Sequence, residues 1–206
     1  MAIEKAESFD QYSAGFKNLL NTLHLDSVGN FAKSDPIVLM VGARSHAAIK
    51  RKQDKVNECM RTVRSRMRLM SRVYLSYREV YQNQSHTVVE DLSNGSSDMF
   101  RREGITILAA AAKKISKKDI KEGEDNNPAV SSQKSDLKIS ILNMIKLTAK
   151  YIIGHYLIKN EDKRANYVKT FLKVLIGFKN DLDMLSTTLP ISEIQLQESQ
   201  SIKKRR

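Results

Sequence analysis

Among its 206 residues the chain has one cysteine, no tryptophan, three prolines and eight glycines. A lone thiol, Cys59, excludes an intramolecular disulfide framework and points to a reducing compartment. Scarce proline and glycine remove the punctuation of a turn-rich β architecture, so long uninterrupted helices are expected instead. No run reaches the ~18 uncharged apolar residues of a spanning helix. The nearest, residues 137–158, is interrupted by Lys138, Lys146, Lys150 and His155, so no transmembrane segment is expected. The residues from Met1 to Glu7 lack the basic and apolar regions of a secretory signal. An intracellular location, cytoplasm or nucleus, is the resulting expectation.

Enzyme and metal signatures are also missing. The four histidines, His24, His46, His86 and His155, fall in separate segments, with no His-x-x-x-His pair; a zinc site would need such spacing. Cys59 lies between the basic residues Lys55 and Arg61 and is read as a small packing residue. Acidic residues cluster only at Glu122, Glu124 and Asp125, in a segment with linker composition. The apolar run from Ile37 to Val41, followed by Gly42, suits either a short buried strand or a buried helical turn. As a phosphate loop it fails, because Ala43, Arg44, Ser45 and His46 supply neither a second glycine nor the Lys-Ser/Thr pair. No catalytic residue, metal ligand or cofactor is therefore assigned, and a non-enzyme is expected.

What the chain does have is ordinary core material and an unusual charge. Hydrophobic residues make up 41% and charged residues 28%, enough for one domain with its own core. Against 23 acidic residues stand 35 basic ones, a formal +12. Such an excess favours polyanionic partners.

The expected fold is all-α, an irregular bundle of about five helices with one long basic helix and a flexible basic C-terminal tail. Residues 1–121 form an N-terminal helical part, 122–135 a linker, 136–189 a C-terminal helical hairpin and 190–206 the tail, which ends in Lys203, Lys204, Arg205 and Arg206. A first helix over residues 4–25 follows from Phe9, Tyr12, Phe16, Leu19, Leu20 and Leu23 at three- and four-residue steps. Residues 26–35, with Gly29, Asn30 and Ser34, read as a connection, and Asp35-Pro36 as a helix start. Residues 82–98 read as a polar loop, and 105–115 as a helix ended by the charge run that follows. The apolar segment 137–158 is expected to be the most buried element, followed by a last helix that buries Tyr167, Val168 and Phe171.

The longest helical candidate, residues 45–81, contains no glycine or proline. Its apolar residues fit a heptad, with Met60, Met67, Tyr74 and Tyr81 at one seam position and Ile49, Val56, Val63, Met70 and Tyr77 at the other. With methionine and tyrosine where a tight zipper uses leucine, the seam suits packing against other helices of the same chain at least as well as a coiled coil, and a homo-oligomer is expected from it. Between Lys50 and Tyr81 ten basic residues face three acidic ones, leaving +7 on one helix. Arg61, Arg64, Arg68 and Arg72, joined by Lys50, share a sector of about 80°, and Arg51 adjoins them. Like charges at this spacing weaken a helix unless an anion compensates. Guanidinium groups fork onto phosphate oxygens, so four arginines along a ~16 Å ridge could follow a nucleic-acid backbone.

The candidate nucleic-acid-binding residues are thus Lys50, Arg51, Arg61, Arg64, Arg68 and Arg72. RNA is ranked ahead of DNA because no base-reading module is present; a viral or regulatory accessory protein would fit this reading. The alternative is a helical scaffold or adaptor that docks an acidic protein partner, or its own copy, on the same helix. A peripheral membrane protein held by basic and apolar faces ranks third.

Overall fold

The computed structural model describes residues 12–49, 56–84, 95–118 and 128–177. The architecture is all-α, as expected, and the described residues contain no strand. Seven α-helices appear among them: α1 (Ala14–Asn21), α2 (Ser27–Ser34), α3 (Pro36–Ile49), α4 (Val56–Gln84), α5 (Ile105–Lys118), α6 (Pro128–Ile158) and α7 (Asp162–Gly177). Two short 3-10 helices, Ser96–Phe100 and Arg102–Gly104, lead into α5. The chain divides into two compact units, Met1–Leu172 and Lys173–Arg206; residues 122–127 of the expected linker lie outside the described residues. Of the second unit, the described residues are the last turn of α7. The expected tail, residues 190–206, lies outside the described residues.

Several elements differ from expectation for local reasons. The ambiguous Ile37 to Val41 run is helical, within α3. The expected helix 45–81 does not start at 45, since residues 45–49 close α3 and the basic helix is described only from Val56. Residues 27–34, read as a connection, form α2 with Asp26 as its cap, the carboxylate accepting the Gly29 N–H at 2.6 Å. Gly29 is no breaker: a Cβ there would collide with the His24 carbonyl oxygen. α6 begins at Pro128, so the second half of the expected linker is its first two turns, with proline in the N-terminal turn that tolerates it.

The α6–α7 corner is a Schellman closure. The Glu161 N–H donates to the Tyr156 carbonyl at 2.8 Å and the Asn160 N–H to the Leu157 carbonyl at 3.2 Å. Asn160 takes φ 57°, the left-handed position that asparagine tolerates better than most residues.

The core is organised around α4, which packs against α2, α3, α5, α6 and the first 3-10 helix. α6 was expected in this place, yet it leaves Ile139, Leu157 and Ile158 exposed. Val63, Met67, Met70, Val73, Tyr74 and Tyr77 of α4 are all buried, so the heptad seam is filled from within the same chain. Met67 meets Gly42 of α3, where an added Cβ would lie 2.5 Å from its sulfur and 2.9 Å from the Phe16 ring. That glycine, the one suggestive of a phosphate loop, lets α1, α3 and α4 converge. On another side small residues bring α4 and α5 together: Ser76 Oγ donates to the Ala111 carbonyl at 3.4 Å, and Ala111 is buried. Phe31 of α2 stacks on Tyr74 with 4.6 Å between centroids. These neighbours cover Val63, Met67, Met70, Tyr74 and Tyr77 of the seam, while Met60 and Tyr81 are half-buried.

Asp35 joins the two halves of this arrangement. It closes α2 with its N–H on the Phe31 carbonyl, and its Oδ1 accepts the Ile37 and Val38 N–H groups at 3.1 and 2.9 Å, capping α3. The same buried carboxylate accepts the Ser96 N–H at 2.8 Å and the Ser96 hydroxyl at 2.5 Å. Ser96, Ser97 and Asp98, expected to end a polar loop, are consequently buried. Asp98 pairs with Arg101 at 2.9 Å, and the Tyr77 hydroxyl donates to the Asp98 carbonyl at 3.3 Å. Phe100 meets Phe171 of α7 edge-on at 5.5 Å. Tyr167, expected in the core, is 39% exposed and donates its hydroxyl to Glu103 at 3.0 Å.

Two outcomes follow. Asp35→Ala removes a helix cap and strands buried Ser96 donors, and should lower stability by about 3 kcal/mol in urea denaturation. Val63→Asp or Met67→Asp places a charge in the core, so loss of helical circular dichroism should accompany it, by more than about 4 kcal/mol. Sedimentation of wild type and variant should show no dimer dissociation as the cause.

Candidate nucleic-acid interface

Between Glu58 and Glu79, α4 carries six arginines and no carboxylate. Lys50 and Arg51 lie outside the described residues. Arg61 is exposed, Arg64 and Arg68 are half-buried, and Arg72 is half-buried with interactions of its own. The four arginines of the expected ridge do share one side of α4, but they do not share one environment. The turn between α1 and α2 lies against the middle of the ridge.

Arg68 is held most firmly. Its two terminal nitrogens donate to the two carboxylate oxygens of Asp26 at 3.0 and 2.6 Å, the parallel fork that guanidinium and carboxylate form best. Arg64, one turn earlier, donates to the Thr22 hydroxyl at 3.3 Å and to its own helix at the Met60 carbonyl at 3.4 Å. Arg68 therefore ties α4 to the start of α2, a structural duty the helical wheel did not reveal.

Asp26 serves two elements at once, since it also caps α2. The Arg68 hydrogen bonds, followed by the Gly29 N–H, hold its carboxyl at about 2 against an ordinary 3.8. Arg68 is shifted upward in return, with the Asp26 hydrogen bond as the main cause.

The outward face of α4 lies elsewhere on the wheel. Asn57, Glu58, Arg61, Thr62, Ser65 and Arg66 are all exposed, so the first turns of α4 present an arginine at each edge with two hydroxyls between them. Arg61 and Arg66 stand about 140° apart on the wheel. Arg66 was left out of the candidate set because it falls outside the ridge sector. Its exposure arises because neighbouring helices cover α4 from both sides mainly beyond Met67, where Ser71 and Ser76 are buried. A signal was present in the sequence: both residues flanking Val63 and both flanking Met67 are polar, whereas that regularity is lost from Leu69 onward.

Chemically, this face offers guanidinium forks, groups that contact phosphate oxygens, while the Thr62 hydroxyl donates to the Glu58 carbonyl at 3.0 Å and the Glu58 side chain is exposed on the same face. Cys59 is half-exposed and forms no disulfide. Among the described residues no group of three His, Cys, Asp or Glu side chains could hold a metal ion, and no helix is long and apolar enough to cross a membrane. No family model, curated protein or solved structure matches the chain.

The pairing has a measurable consequence in acid. A carboxylate with a lowered folded-state pKa contributes stability that is complete above its ordinary value and is lost as pH falls through the lowered one. For Asp26 that window runs from 3.8 down to about 2. Asp26→Asn, which retains a capping oxygen, should flatten the fall of the urea midpoint in this window relative to wild type. Parallel acid profiles would show that the Arg68 pair contributes nothing.

Proposed function

We infer that the protein is a non-enzymatic nucleic-acid-binding protein, RNA ahead of DNA, that contacts the phosphate backbone through the outer face of α4. The observation that carries this reading is the six-arginine, carboxylate-free stretch between Glu58 and Glu79, whose Arg61 and Arg66 are exposed on either side of Thr62 and Ser65. Repulsion within such a stretch weakens the helix in isolation, and an anionic partner removes the penalty. The contact residues are Arg61, Arg64 and Arg66, with Arg72 flanking them and Lys50 and Arg51 preceding the helix. Arg68 is assigned to the fold. Backbone contacts of this type position a protein without reading bases.

A second reading, docking of an acidic protein on the same face, draws on Arg68 itself. Its fork already receives a carboxylate, so the helix chemistry suits aspartate and glutamate as well as phosphate. The two readings differ in salt response and in partner.

Replacing Arg61, Arg64 and Arg66 together by glutamine leaves helix propensity nearly unchanged. On a single-stranded RNA, log affinity against log salt should become shallower by about 2, at about 0.7 per lost contact. Affinity should fall by a similar factor on unrelated sequences. Failure of the wild type to retard any RNA or DNA at about 50 mM salt, where such contacts are strongest, would reject this reading in favour of the acidic partner.

A further inference from the structure

The geometry points to Asp26 as a resident competitor for phosphate: it occupies the Arg68 fork, removing one contact from the arginine ridge and lowering the affinity of α4 for a nucleic-acid backbone. This inference rests on the phosphate reading above and adds a specificity-determining residue to it, one located on another helix.

Three observations carry it. The first is the fork, in which both Asp26 oxygens are taken by both terminal nitrogens of Arg68 at 3.0 and 2.6 Å. These are the atoms a phosphate would use, because carboxylate and phosphate share the bidentate geometry that guanidinium recognises. The second is location. Arg68 lies one turn beyond Arg64 and one turn before Arg72, in the middle of the ridge, so a backbone following the ridge meets the Asp26 carboxylate there. The third is that Asp26 is anchored independently of Arg68. Its Oδ1 accepts the Gly29 N–H at 2.6 Å as the cap of α2, and Leu23 beside it in the chain is buried while Leu25 is 84% exposed. A side-chain rotation that released Arg68 would uncap α2, so the negative charge stays beside the ridge even when a polyanion approaches. With its carboxyl held at about 2, Asp26 keeps its charge at neutral pH.

Thr22 extends the same arrangement to Arg64, which donates to a neutral hydroxyl at 3.3 Å. That contact is exposed and its acceptor is neutral, so phosphate displaces it readily. The turn from α1 to α2 thus grades the ridge: Arg61 is open, Arg64 is lightly held and Arg68 is blocked.

The test titrates the full chain with a fluorescein-labelled uridine homopolymer, read by anisotropy from about 50 to about 200 mM salt. Asp26→Asn keeps a capping oxygen and removes the charge; it should bind about fivefold tighter at the low-salt end, with a slope steeper by about 0.7. Adding Arg68→Gln to Asp26→Asn should return the slope to the wild-type value. Arg68→Gln alone leaves the Asp26 carboxylate beside the ridge without its counter-charge and should weaken binding below wild type. Should Asp26→Asn lose its helical circular dichroism, Asp26→Ser, another capping residue, replaces it and must give the same tightening. Wild-type binding with no tightening and no change of slope in the Asp26 variants overturns the competition and leaves the phosphate reading standing. A slope in the Asp26→Asn, Arg68→Gln double variant that stays as steep as in Asp26→Asn overturns it too, by showing that the freed Arg68 adds no phosphate contact. Absence of binding in every variant rejects the phosphate reading itself, and the competition with it.

Discussion

The Asp35 carboxylate is the constraint on which the arrangement of the first unit depends. A charged group buried to this degree is tolerated only when donors saturate it. Here the donors come from two places far apart in sequence, the N-terminus of α3 and Ser96. Satisfying one carboxylate therefore docks the 3-10 segment against the start of α3. With that segment in place, the Asp98 carbonyl meets the Tyr77 hydroxyl of α4, Phe100 meets Phe171, and Glu103 meets Tyr167. Helix packing supplies most of the burial, and this polar junction holds the 3-10 segment to the start of α3.

α4 shows how one helix can be both the most basic element and the centre of the core. Its seam is methionine, valine and tyrosine, adaptable or large side chains that fill irregular spaces between several neighbours. Gly42 and Ala111 on facing helices make room for close approach. Arginine suits the remaining sector because its aliphatic stem covers apolar surface while its head reaches solvent or a partner. Arg68 uses that reach to hold α2, and Arg44 of α3 does something similar on α6, its guanidinium lying 4.9 Å from the Tyr151 ring centroid. Arginine in this protein is thus divided between cohesion and display.

That division bears on function. A ridge of four equivalent arginines would be a uniform electrostatic rail. The folded chain instead grades it, with an open end at Arg61 and a carboxylate in the middle. The outward face shifts toward Thr62, Ser65 and Arg66, all exposed. Exposed arginines thus stand at both ends of α4, Arg61 and Arg66 in its first turns and Arg78 near its end.

By itself the sequence determined the all-α class, the helical starts at Asp35-Pro36 and after Asn160, the helix beginning at Ile105, and the concentration of arginine in residues 61–78. These are local properties: capping residues and the 3.6-residue repeat act within a few positions of each other. Tertiary structure alone decided that Gly29 sits inside a helix, that α4 rather than α6 is central, that the heptad seam faces the chain's own helices, and that Arg68 belongs to the fold. Each of those depends on partners distant along the chain, 42 residues for Arg68 and Asp26 and 61 for Ser96 and Asp35. A repeat along one helix says which side is apolar or charged. It carries no information about which other helix will cover that side, since any neighbour of suitable shape satisfies the same pattern until the whole chain is packed.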